Sequence, residues 1–139
     1  MGARRTARER ALQALYQVEM TPGPILAALE DAWAAAEVAN KEAEAVKFAR
    51  ELAEGVMAHR KEIDQLIEAH SHNWRLDRMS RIDRNVLRLG VFELKYRPDI
   101  PKKVSLNEAV ELGKNFGTEE SSAFVNGLLD RVAVALGKL

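Results

Sequence analysis

The sequence predicts an all-α fold of about seven helices. Apolar residues recur at three- and four-residue steps along most of the 139 positions, and only eight Gly and four Pro interrupt them. Nowhere do they alternate with period two over more than a few residues, so the spacing that buries a helix stripe is present and that of a strand is absent. The stretch SHNWRLDRMS at 71–80 lacks a clean stripe and reads as a connection pinned by Trp74, dividing the chain into parts of about 1–73 and 74–139.

The first helix is expected from Thr6, where Thr6 and Glu9 have the spacing of a capping box and Ala11, Leu12, Leu15 and Val18 form an inward stripe. TPGP at 21–24 stops it, and Pro24 suits the first turn of a second helix on Leu26, Leu29, Trp33 and Ala36. A third runs from about Glu42 to Met57 on Ala45, Phe48, Ala49, Leu52 and Val56, and a short fourth uses Ile63, Leu66, Ile67 and His70. Ile82, Val86, Leu87, Leu89, Val91, Phe92 and Leu94 cover more than half a helix circumference, which makes the fifth helix central. It ends at Arg97 before PDIP. Ser105 and Glu108 form a second capping box for a sixth helix, which terminates at Gly117 in a left-handed conformation. A seventh starts between Thr118 and Ser121 and buries Phe124, Val125, Leu128, Leu129, Val132 and Leu136.

Composition narrows the function. With 47% hydrophobic, 30% charged and no Cys residues, the chain reads as a soluble cytoplasmic domain without disulfides, thiolate metal sites or cysteine nucleophiles. No apolar run reaches membrane-spanning length, and no signal-peptide core follows the N-terminus. Nucleotide-binding glycine loops, GxSxG and HExxH are absent, and the histidines complete no metal set, so neither an enzyme nor a cofactor or metal site is expected.

Net charge is zero, yet residues 1–29 carry +2, 30–68 carry −5, 75–103 carry +5 and 104–139 carry −2. The first block concentrates Arg4, Arg5, Arg8 and Arg10 at a helix start, where each exposed cation costs about 0.3 to 1 kcal/mol against the helix dipole. An incoming anion would instead meet dipole, free amides and guanidinium forks acting together, as in a phosphate site. Tyr16 on the same helix offers a stacking face. The plainer alternative is a solvated basic tail, with Tyr16 in packing. Arg81, Arg84, Arg88 and Lys95 fall in a sector about 60 degrees wide, which reads first as the wet face of a half-buried helix, and Asp83 points to another side.

Four segments, RRTARERALQALYQ at 4–17, the Trp74 stretch running into IDRNVLRLG, DIPKKVSLNEAVELGKNFG at 99–117 and ESSAFVNGLLDRVA at 120–133, resemble the NusB family of bacterial transcription antitermination factors. The resemblance implies two packed three-helix-bundle subdomains without catalytic activity. It further implies binding to the single-stranded boxA element of nascent RNA with NusE, a ribosomal small-subunit protein, and through that complex to other Nus factors and RNA polymerase. Read-through of ribosomal RNA operons and support of small-subunit RNA maturation would follow. On this resemblance the RNA face uses Arg4, Arg5, Arg8, Tyr16, His70, Glu120 and Phe124, and the NusE surface involves Asp83, Arg84 and Arg88. Thr6 and His70 depart from relatives that carry a basic residue and a tyrosine there, which affects the number of phosphate contacts and one stacking contact. Rival readings are the RNA-binding module of a ribosomal RNA methyltransferase, for which 139 residues leave no catalytic domain, and a helical protein-interaction adaptor. The oligomeric expectation is a monomer or weak homodimer.

Overall fold

The computed structural model describes residues 2–36 and 42–138. Among these residues there are seven α-helices and no strand: α1 Ala3–Met20, α2 Ile25–Ala35, α3 Ala43–Ala58, α4 Arg60–Ala69, α5 Arg81–Tyr96, α6 Lys102–Phe116 and α7 Ser121–Ala135, with a short 3-10 turn at Leu76–Arg78. The chain divides into two compact units, 1–58 and 59–139. This boundary precedes the connection at 71–80 because α4 packs on α5 and belongs to the second unit.

In the first unit α1 packs against both α2 and α3. Ala7, Ala11 and Ala14 on α1 and Ala49 and Ala53 on α3 are completely buried, which lets backbones approach while Leu12, Leu15, Leu29, Trp33 and Leu52 fill the space between. The helix begins four residues earlier than the capping-box spacing indicates. Gly2 is the N-cap, and the Thr6 N–H donates to the Gly2 carbonyl at 3.3 Å inside the first turn. Arg4 and Arg5 are therefore helical residues, not a tail.

In the second unit α5 is central, as its broad apolar circumference predicts: Asn85 through Leu94 are all buried, and α4, α6 and α7 pack on it. A Cβ at Gly90 would lie 2.6 Å from a Leu129 methyl, so the α5–α7 approach depends on glycine. The N-cap of α5 is Ser80, whose Oγ accepts from the Asp83 N–H at 3.0 Å.

The Arg81–Lys95 stripe is wet at its two ends, where Arg81 and Lys95 are exposed, and closed between them. Arg88 is only 3% exposed. Its Nε and Nη2 donate to the two Asp64 oxygens at 2.8 and 3.1 Å, and its Nη1 to Asn85 Oδ1 at 3.0 Å. Lys95 pairs with Glu62, so Arg88 and Lys95 form the seam between α5 and the acidic face of α4. Arg84 braces the connection by donating to the Met79 carbonyl at 3.0 Å.

Three further expectations change. Ser105 does not cap α6, which starts at Lys102 after Pro101; it is buried and donates to Glu93 Oε1 at 2.9 Å. Gly117 ends α6 with extended backbone (φ −102°), not a left-handed one, and is required because a Cβ would sit 2.3 Å from Ser121 Oγ. Trp74 does not pin the connection, being 55% exposed. Ser71 does so instead: its hydroxyl bonds the Glu68 and Trp74 carbonyls, and Glu68 accepts from the Leu76 N–H at 2.9 Å.

Beside this seam Tyr96 donates to Glu62 and stacks on His59 at 4.1 Å between centroids. Burial pushes its hydroxyl up to about 12, with the Glu62 hydrogen bond and charge acting in the same direction. The fold thus favours the neutral phenol, and its contribution to stability is fully present below the ordinary value of 10.0 and lost as pH rises through about 12. Lys95 and Tyr96 hold the Glu62 carboxyl below its ordinary 4.5, so that contribution is present above 4.5 and fades as pH falls through the lowered value.

Two outcomes follow. Asp64→Asn should destabilise the second unit by about 3 kcal/mol in urea unfolding, because it strands a buried guanidinium, while the apolar pair Asp64→Leu with Arg88→Met should recover most of that loss. With Tyr16 changed to Phe, absorbance titration of Tyr96 should show a midpoint near 12, falling part of the way toward 10.0 in Glu62→Gln.

Candidate nucleic-acid interface

The start of α1 lacks what a helix start usually has. No side chain caps it and no acidic residue lies in its first turn. Arginines occupy the place of those acids, so the amides and the dipole face outward with cations beside them. Arg4 is exposed and Arg5 half-buried. Arg8 is 3% exposed, beneath the surface. Arg4 and Arg8 share one support, the Phe48 ring of α3, with guanidinium carbons 4.7 and 5.2 Å from its centroid. Arg10 is also buried and pairs with its neighbour Glu9 at 3.3 Å. Tyr16 is 36% exposed, and Met20 one turn further is exposed as well, so α1 carries an uncovered aromatic and a thioether beyond its arginines. Gln17 between them donates to Asp31 of α2 at 3.0 Å.

The remaining candidates lie in the second unit. His70 is the half-buried C-cap of α4, at the edge of the core as its stripe position predicts. Its Nδ1 lies 2.9 Å from the Leu66 carbonyl and donates there, which leaves Nε2 to accept. Its own carbonyl accepts from Arg131 Nε at 3.0 Å. Glu120 is the exposed N-cap of α7, and Phe124 lies half-buried one turn on.

Glu120 and Phe124 line an open cavity of about 430 Å³ together with Trp74, Arg78, Asp83 and Thr118. The Asp83 side chain has a second property: its Oδ1 is buried without a hydrogen-bond partner. An unanswered carboxylate oxygen costs on the order of 1 to 3 kcal/mol. Residues expected on the RNA face and a residue expected on the protein face thus share one cavity. Arg84 and Arg88, by contrast, are engaged within the unit and shape the surface from behind.

Two residues of these sites carry no signal as such in the sequence. Phe48 reads as a core position of α3, and nothing in its spacing ties it to Arg4. Trp74 stands outside any apolar stripe, which is a trace of its exposure, since a large ring without a stripe has no helix face to bury it. Among the described residues no group of three or more His, Asp or Glu side chains could hold a metal ion, and no helix is long and apolar enough to cross a membrane.

The NusB family profile matches residues 5–134. The chain is 81% identical to the transcription antitermination protein NusB of Myxococcus xanthus, over 99% of each chain, and 56% identical to that of Anaeromyxobacter dehalogenans, over 98% of this chain and 94% of the relative. Among solved structures, NusB of T. maritima superposes with a TM-score of 0.86 at 38% identity, covering 94% of this chain and 90% of that one. A structure of the antitermination factors NusB and NusE in complex with double-stranded RNA superposes with a TM-score of 0.86 at 29% identity, covering 96% of this chain and 97% of that one.

Proposed function

The chain belongs to the NusB family, and from that premise we propose that it is a non-catalytic transcription antitermination factor that binds boxA-type single-stranded RNA together with NusE. The α1 start carries the reading. It is uncapped, free of first-turn acids and rich in arginine, an arrangement unfavourable for folding and favourable for a phosphate backbone. Arg4 and Arg5 are the phosphate contacts, Arg8 their buried support, and Tyr16 a stacking face for a splayed base. On the second unit His70, Glu120 and Phe124 extend the RNA contacts. Asp83 accepts a donor from NusE. The NusB and NusE complex with RNA among the similar structures supports pairing these two ligands.

Few phosphate contacts give modest affinity, and a second protein on the same RNA raises the effective concentration of each for the other. Read-through of ribosomal RNA operons, support of small-subunit RNA maturation, and engagement of other Nus factors and RNA polymerase follow from that complex. The relatives matched over almost their whole length are antitermination proteins, which favours this reading over a methyltransferase module.

Fluorescence anisotropy with a short boxA-type RNA over a salt series, with and without NusE, tests the RNA site. Changing Arg4 and Arg5 to Glu should weaken binding about tenfold or more and make the salt slope shallower by about 1.4, because two phosphates of a single strand are no longer neutralised. The melting temperature should hold or rise, since the new acids suit the helix start. An unchanged slope refutes the site, and equal affinity for duplex RNA moves the reading to double-stranded targets. Asp83→Ala should weaken NusE binding by about tenfold in calorimetry, because a charged hydrogen bond disappears from the complex, while removal of the first-turn acid of α5 costs the free chain no more than about 1 kcal/mol.

A further inference from the structure

We infer that Phe48 is the positioning residue of the arginine cluster, its ring holding the Arg4 guanidinium at the start of α1 in the orientation that meets an RNA phosphate. The inference rests on the RNA-binding reading above and deepens it.

Arg4 and Arg8 stand one turn apart on α1, and both guanidinium carbons lie within about 5 Å of the same ring. Phe48 is 4% exposed, so the ring is held by its own packing, and Arg8 is buried, which fixes the inner cation. Arg4 is the outer one and the one exposed to an incoming ligand. Left to itself, a long cation at this position would swing into water, driven out by the helix dipole and by its cationic neighbours.

A carboxylate could hold Arg4 equally well, but it would cancel the charge and occupy the donors a phosphate needs. An aromatic face attracts the cation through its quadrupole and leaves both charge and N–H edges available. Arginine is then ordered before RNA arrives, which lowers the entropic cost of binding. A leucine at position 48 would fill the core without doing this.

The test is a double-mutant cycle in RNA affinity on the full chain, with the same boxA-type RNA: Phe48→Leu, Arg4→Gln and the two together, plus Phe48→Trp. Phe48→Leu should weaken binding about two- to fivefold, the scale of one exposed cation–π contact. It should add nothing once Arg4 is Gln, and Phe48→Trp should restore affinity. Additive losses, or loss with Arg4→Gln but none with Phe48→Leu, overturn the positioning role and leave the RNA reading standing. No loss with Arg4→Gln, alone or with Arg5→Gln, overturns both.

Should Phe48→Leu not fold, nitrogen-edited NMR on the unaltered protein decides the matter. The Arg4 Nε–H resonance should be displaced by the Phe48 ring current and stay displaced when RNA is added. A resonance at the free-arginine position before and after RNA addition overturns the inference.

Discussion

A guanidinium taken out of water has to be answered by another group, and each unit holds a buried arginine in contact with a neighbouring helix. In the second unit Arg88 meets a carboxylate head on, both Asp64 oxygens accepting from it and Asn85 closing the third side. That pairing ties α4 to α5 across a seam that Glu62 and Lys95 extend, and it is why α4 travels with the second unit. In the first unit Arg8 lies against the face of Phe48. One contact is a bidentate ion pair and the other a cation resting on an aromatic ring, and each ties its helix to a neighbour.

The start of α1 is where local folding preference and ligand preference pull apart. A helix start that served only stability would carry a serine or aspartate cap and acids in its first turn, and this one carries neither. The cavity below Trp74 shows the same conflict with opposite sign. Asp83 Oδ1 is enclosed without a donor, and its residue borders a cavity that two aromatic rings and Glu120 also line. One unit offers a helix start without a side-chain cap, the other a carboxylate oxygen without a donor. A factor that works by joining RNA and protein in one assembly needs surfaces of both kinds.

Helix positions were legible in the sequence because apolar periodicity reports burial directly, and α5 is the clearest case: a stripe too wide for one interface belongs to a helix packed on three neighbours. Caps were less legible. Thr6 and Ser105 each have the spacing of a capping box, yet both lie within their helices, because spacing alone does not say whether a hydroxyl turns back to its own backbone or across to Glu93. Gly117 was recognised as a helix end but for the wrong reason, since crowding against Ser121 rather than a positive φ demands it. At the candidate site the cluster of arginines was visible, whereas the depth of Arg8 and the role of Arg88 were not. Both depend on partners far along the chain, Phe48 and Asp64, which local pattern cannot pair.

The two tryptophans of the chain fall one to each unit, Trp33 buried in the first and Trp74 largely open to solvent in the second. Their emission is accordingly separable, blue and shielded for one, red and open to collisional quenchers for the other. Since Trp74 borders the cavity that holds Asp83, the protein carries an intrinsic optical reporter at that surface and an independent one for the integrity of the α1–α3 bundle.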